Sequence, residues 1–66
     1  MKETIAKRVR SRRRELDLSQ TELAKRSHVS RANISLIENG KCNDILVGTL
    51  SALAAALETT VEFFLE

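Results

Sequence analysis

The side chains with chemical potential in this chain of 66 residues are few, and their types do not suit catalysis. One histidine, His28, and one cysteine, Cys42, cannot assemble a metal-ligand set. No Ser-His-acid arrangement or Gly-rich phosphate loop is visible either, so neither an enzyme nor a bound cofactor is expected. What remains is recognition chemistry. With Arg31 taken as zero on a helix advancing ~100° per residue, Ser35, Asn39, Ala32 and Leu36 fall within one arc of about 140°, with Ile34 and Ile37 opposite. A guanidinium, a hydroxyl, an amide and two apolar groups on one arc suit a surface that reads a partner without transforming it. Charge points to the kind of partner. All 11 Lys and Arg residues lie between Lys2 and Lys41, against Glu3, Glu15, Asp17, Glu22 and Glu38, whereas Asp44, Glu58, Glu62 and Glu66 follow with no base. A basic body with an acidic far end suggests one surface meant for a polyanion. The run Lys7 to Arg14, taken alone, reads equally well as a solvated helix face.

The elements that must position these groups are helices. A chain this short is expected to be one domain over residues 1–66, with a thin stability margin. Trp, Tyr and Pro are absent and Gly occurs only at 40 and 48, which favours an all-α architecture over a sandwich or barrel. Cys42 has no internal disulfide partner, which fits a reducing cytoplasm. No apolar run approaches the ~20 residues of a membrane span, and no leader pattern opens the chain. The expectation is a cytoplasmic protein that does not enter a membrane.

Ile5, Val9 and Leu16 form one stripe of a helix spanning roughly 3 to 16, with Asp17 in the turn that ends it. Ser19-Gln20-Thr21-Glu22 is a capping box, so a second helix is expected from about 20 to 27. Ser30 caps a third from about 31 to 39, and Asn39-Gly40 stops it. Only Ser27, His28, Val29 and Ser30 separate the two helices, the short connection that a helix-turn-helix requires. Leu23, Val29, Ile34 and Ile37 would fix the angle between them, with small Ala24 at the closest approach. A loop from Gly40 to about Leu46 leads to a helix over Val47 to Leu57, with Leu50, Leu53 and Leu57 on one face. Thr59 and Thr60 both qualify as the cap of a short last helix carrying Val61, Phe64 and Leu65.

Leu18-Ser19-Gln20, Glu22-Leu23-Ala24, Val29-Ser30, Ile34-Ser35, Ile37-Glu38-Asn39-Gly40-Lys41, Leu50, Leu53-Ala54 and Ala56-Leu57 resemble the lambda-repressor-like, Cro-type helix-turn-helix regulators, the XRE family. The resemblance runs from about Ile5 to Leu65 and implies a compact five-helix, sequence-specific, double-stranded DNA-binding domain, with 31–39 as the recognition helix in the major groove. It implies base contacts from Arg31, Ala32, Asn33, Ser35 and Leu36. A guanidinium suits guanine O6 and N7, and methyl groups suit the thymine C5-methyl. Asn33, at the edge of the arc, can equally pack against the second helix. Gln20, Ser30, Asn39, Lys41, Asn43 and Arg10 are the expected phosphate contacts. Arg8 and Arg14 either join them or stay solvated. The resemblance also implies an ion pair between Arg13 and Glu38, bracing the first helix against the third.

Departures from the family pattern carry expectations of their own. His28 stands where a glycine is usual, so a non-glycine residue should take a positive φ. Asp17 and Glu58 replace frequent glycines after the first and fourth helices. Ile45-Leu46 replaces the usual Pro-Ser, leaving Ile45 to Val47 as either core or interface. Phe63 and Phe64 are adjacent and lie ~100° apart on a helix, so one is expected to face outward. With Leu65 and Ile45 they are the candidate dimer interface, because a homodimer on a palindromic operator is how such small domains lengthen their readout. The alternative is an antitoxin that binds a toxin protein and represses its own operon.

Overall fold

The computed structural model describes residues 2–42 and 45–66. Five helices follow one another: α1 (Lys2–Glu15), α2 (Gln20–Ser27), α3 (Arg31–Glu38), α4 (Val47–Ala56) and α5 (Val61–Leu65), with no strand among the described residues. The all-α five-helix expectation holds, with small boundary changes. Leu16 belongs to the turn after α1, Asn39 caps α3 instead of extending it, and Leu57 plays the same part for α4.

The helix starts are set by side-chain oxygens. Ser19 Oγ accepts from the Glu22 backbone N–H at 3.0 Å, and a Glu22 carboxylate oxygen accepts from the Ser19 N–H at 2.9 Å. Ser30 caps α3 through the Asn33 N–H at 3.1 Å. Thr60, not Thr59, caps α5, its hydroxyl accepting from the Phe63 N–H. The start of α4 has no side-chain cap, because Leu46 occupies the position.

The helix ends share one device. After α1, α3 and α4 the chain closes a paired bond set, with one N–H reaching back five residues and its neighbour three, as in Leu18→Arg13 and Asp17→Arg14. The residue at the bend takes the left-handed conformation each time. Only Gly40 (φ 69°) is a glycine there, whereas Asp17 (55°) and Glu58 (56°) take the same conformation with side chains attached. His28, at the end of α2, does so as well at 61°. Such values are uncommon outside glycine, and Asp and His are better tolerated there than Glu.

The core is aliphatic with one aromatic at its centre. Val9, Leu23, Ile34, Ile37, Leu53, Leu57 and Phe64 are fully buried. α1 packs against α3 and α5, and α2 packs against α3 and α4, so the α2–α3 pair is held from behind by two separate helices. The arginines of α1 add long-range clamps. Arg12 donates to the carbonyls of Leu57 (2.9 Å) and Glu58 (3.3 Å), placing a cation on the carbonyl end of α4, where the helix dipole favours it. No described helix is long and apolar enough to cross a membrane.

Candidate nucleic-acid interface

The turn between α2 and α3 decides how the candidate surface is presented, and its backbone groups can be followed one by one. The His28 N–H returns to the Ala24 carbonyl at 2.9 Å. The next donor, Val29 N–H, is taken by the hydroxyl of buried Ser27, which itself donates to the Leu23 carbonyl at 2.7 Å. Ser30 then opens α3. Each of these donors has a partner within the turn, and Ile34 and Ile37 are packed beneath it, so α3 leaves at a defined angle.

Along α3 the two sides differ completely. Ile34, Ile37 and Glu38 are buried. Arg31, Ala32 and Leu36 are exposed, Asn33 and Ser35 are half-buried, and Asn39 is exposed just beyond the helix. The Asn39 side-chain amide donates to Ser35 Oγ at 3.4 Å, tying two neighbouring members of the arc together. Ser30 is exposed at the helix start, and Lys41 is exposed after its end. Asn43 lies outside the described residues.

Glu38 shows how the surface is bounded. On a helical wheel it falls within about 20° of Arg31, yet it is buried, because α1 covers the C-terminal end of α3. Arg13 grips its carboxylate with two parallel bonds, Nε to Oε2 at 2.7 Å and Nη2 to Oε1 at 2.9 Å. The same guanidinium donates to the Leu18 carbonyl at 2.8 Å, which ties in the segment before α2. The bonds to Glu38 hold the Arg13 guanidinium still further above its already high ordinary value. Gln20 supplies a third donor, Nε2 to Glu38 Oε1 at 3.3 Å. One amide hydrogen of Gln20 is therefore engaged inside the protein, and the other remains for an external acceptor. Arg10, half-buried, donates to the Glu38 backbone carbonyl at 3.4 Å. The network joins α1, the α2 start and the end of α3 around one buried charge.

Residues 9–64 match the helix-turn-helix family. The chain belongs to the XRE-type helix-turn-helix family. A 41-residue stretch of this helix-turn-helix chain is 44% identical to a Bacillus subtilis (strain 168) protein named as an uncharacterized HTH-type transcriptional regulator, YozG. That stretch is 62% of this chain and 49% of the relative, so the match spans about half of the relative's length.

One group expected at a contact between copies belongs elsewhere. Phe64 has 0% of its surface exposed, at the centre of the core, and cannot contribute to an interface. The reason is local: with Thr60 as the cap, Phe64 turns inward behind Val61, and Phe63 is left at the surface. Phe63 is half-buried, with the Arg8 guanidinium 5.3 Å above its ring and Phe64 edge-on at 5.8 Å. Ile45 packs partly against the core, while Leu65 is exposed. The largest exposed apolar groups are Leu46 (68%) and Val47 (75%) at the start of α4. Of the stretch Ile45 to Val47, expected as either core or interface, Ile45 alone meets the core, and Leu46 and Val47 stay exposed at an uncapped helix start. The Ser27 anchor and the Gln20–Glu38 bond were missed in the sequence. Ser27 sits beside the expected turn, and a small hydroxyl one residue before a positive-φ position was the available sign.

Proposed function

We propose that residues 1–66 form a sequence-specific, double-stranded DNA-binding transcriptional regulator, acting as a repressor, with α3 in the major groove. The observation that carries this reading is the division of α3. Arg31, Ala32 and Leu36 project outward from a helix whose opposite side is locked into the core. The turn and the buried Arg13–Glu38 pair make that presentation rigid, so its ordering cost is met before DNA arrives. Arg31 reads a guanine through its two-pronged donor set, Ala32 and Leu36 meet thymine methyls, and Asn33 and Ser35 add hydrogen bonds. Gln20, Ser30, Asn39, Lys41, Asn43 and Arg10 hold the backbone on either side.

Size supports a dimer. The domain's longest extent is 24 Å, shorter than the ~34 Å between successive major grooves on one face of a duplex. Two copies on a palindrome solve this, with Leu65, Leu46 and Val47 as exposed apolar groups available between them and half-buried Phe63 and Ile45 offering less surface. The test is binding-site selection from random duplexes with wild-type protein and Arg31→Ala. The expected result is a two-fold consensus in which one position per half-site relaxes in the variant, a loss of ~1–3 kcal/mol of discrimination. An unchanged consensus would remove Arg31 from the readout. The same exposed Leu46 and Val47 favour a second reading, an antitoxin whose apolar patch meets a toxin protein. Stoichiometric co-purification of a second polypeptide from the native host would favour it.

A further inference from the structure

Away from α3, the most heavily charged surface is the outer side of α1. Lys7, Arg10 and Arg14 stand at i, i+3 and i+7, so they share a side of the helix turned from buried Ile5 and Val9. With Arg8, Ser11 and Phe63 they line an open groove of about 460 Å³. A second hollow of about 300 Å³ lies where Lys7 and Arg10 approach Glu38, Asn39 and Gly40. Lys7 and Arg10 border both, so the basic groove adjoins the hollow that reaches the C-terminal end of α3. Three acids lie near this surface. Glu3 sits at the rim of the second hollow, the Glu38 carboxylate is buried and held by Arg13, and Glu15 is engaged by Arg12 at 3.8 Å. Arg8 covers one face of the Phe63 ring, which leaves the groove poorly suited to stacking a base and well suited to charge alone.

We propose that this groove is a second nucleic-acid contact, taking the sugar-phosphate backbone of the same duplex beyond the base pairs read by α3. The inference rests on the DNA-binding reading above and extends it. Lys7 and Arg14 lie about 10 Å apart along the helix axis, close to three steps of duplex at ~3.4 Å each. Continuity with Asn39 places that backbone next to the segment already expected at a phosphate. The contact is independent of sequence, engages only DNA long enough to reach α1, and adds to the salt dependence of binding.

The experiment measures affinity by fluorescence anisotropy from 50 to 200 mM salt, using a duplex of the selected site alone and one carrying about ten extra base pairs on each side. Two added phosphate contacts steepen the log–log salt slope on the long duplex by about 2, roughly a tenfold change in its advantage over this range. Lys7→Gln with Arg14→Gln, both at exposed positions, is expected to abolish that difference and leave the short duplex unaffected. Ser11→Asp, which places a negative charge in the groove, should do the same and guards against a folding defect in the double variant. Equal slopes on the two duplexes would overturn the proposal, as would a variant that weakens both equally. Binding of poly-glutamate by wild type but not by the variant, with no effect of duplex length, would overturn it in favour of an acidic polypeptide. Absence of binding to either duplex at low salt would instead defeat the DNA-binding reading itself.

Discussion

Replacing Arg13 with methionine tests the network that holds α3 in place. The Glu38 carboxylate is 3% exposed and the Arg13 side chain 13%, so water cannot substitute for the lost partner. In Arg13→Met the carboxylate keeps only the 3.3 Å bond from Gln20, and the Leu18 carbonyl loses its donor. A buried charge stripped of its partner costs about 3–5 kcal/mol. For a domain of 66 residues the whole stability is only ~3–10 kcal/mol, so the variant should sit at the edge of unfolding. A loss of 3 kcal/mol lowers the Tm by about 12–24 °C. Arg13→Met with Glu38→Met removes both charges and should recover most of that loss, since an apolar pair of similar volume is often neutral or better. Thermal and urea unfolding followed by helical circular dichroism would measure the cycle. A single-variant loss below ~1 kcal/mol, or a double variant as unstable as the two singles summed, would refute the reasoning. The pair would then behave like an exposed one.

Glu58→Gly should stabilise the protein by about 0.5–1 kcal/mol. It relieves a left-handed residue (φ 56°) at a cost of some unfolded-state entropy, and Arg12 keeps its carbonyl acceptor; a lowered urea midpoint would contradict this. Phe64→Ala should cost ~3–5 kcal/mol, whereas Phe63→Ala should cost less, losing its partial packing against the core and the contact beneath Arg8, the latter worth ~0.5–1 kcal/mol. Comparable losses in the two would argue that both rings are core. The Glu22 carboxylate is held below its ordinary value, first by the Ser19 backbone N–H and then by the Ser19 hydroxyl. Its contribution is thus complete above the ordinary carboxylate range and fades as pH falls through that range toward the depressed value. Glu22→Gln should remove this part of the acid-side loss in urea midpoint, and an unchanged pH profile would show that the box does not couple to titration.

The helices could be read from the chain because their starts are chemical. Ser19, Ser30 and Thr60 each present an oxygen three residues before the N–H it accepts from, a distance fixed by helix geometry. The α2–α3 pair followed from the same logic, with Ile34 and Ile37 setting which side of α3 is left over. What could not be read is where long side chains end. Nothing local tells Arg12 that its acceptors lie 45 and 46 positions away, or separates the clamping role of Arg12 from the outward placement of Arg14. The choice between Phe63 and Phe64 depended on which threonine caps α5, a matter of one residue that composition leaves open. Glu38 sits at the edge of the exposed arc on a wheel, and only the approach of α1 removes it from that surface.

Burial of Phe64 among residues supplied by the earlier helices has a consequence for how the protein is made. A nascent chain that has emerged only as far as Thr60 has α1 to α4 outside the ribosome, yet its hydrophobic interior lacks its largest occupant. Firm placement of α3, and DNA binding with it, is therefore expected to wait until α5 has been made. A premature stop at or before Phe64 would leave that core unfilled and act as a complete loss of the fold.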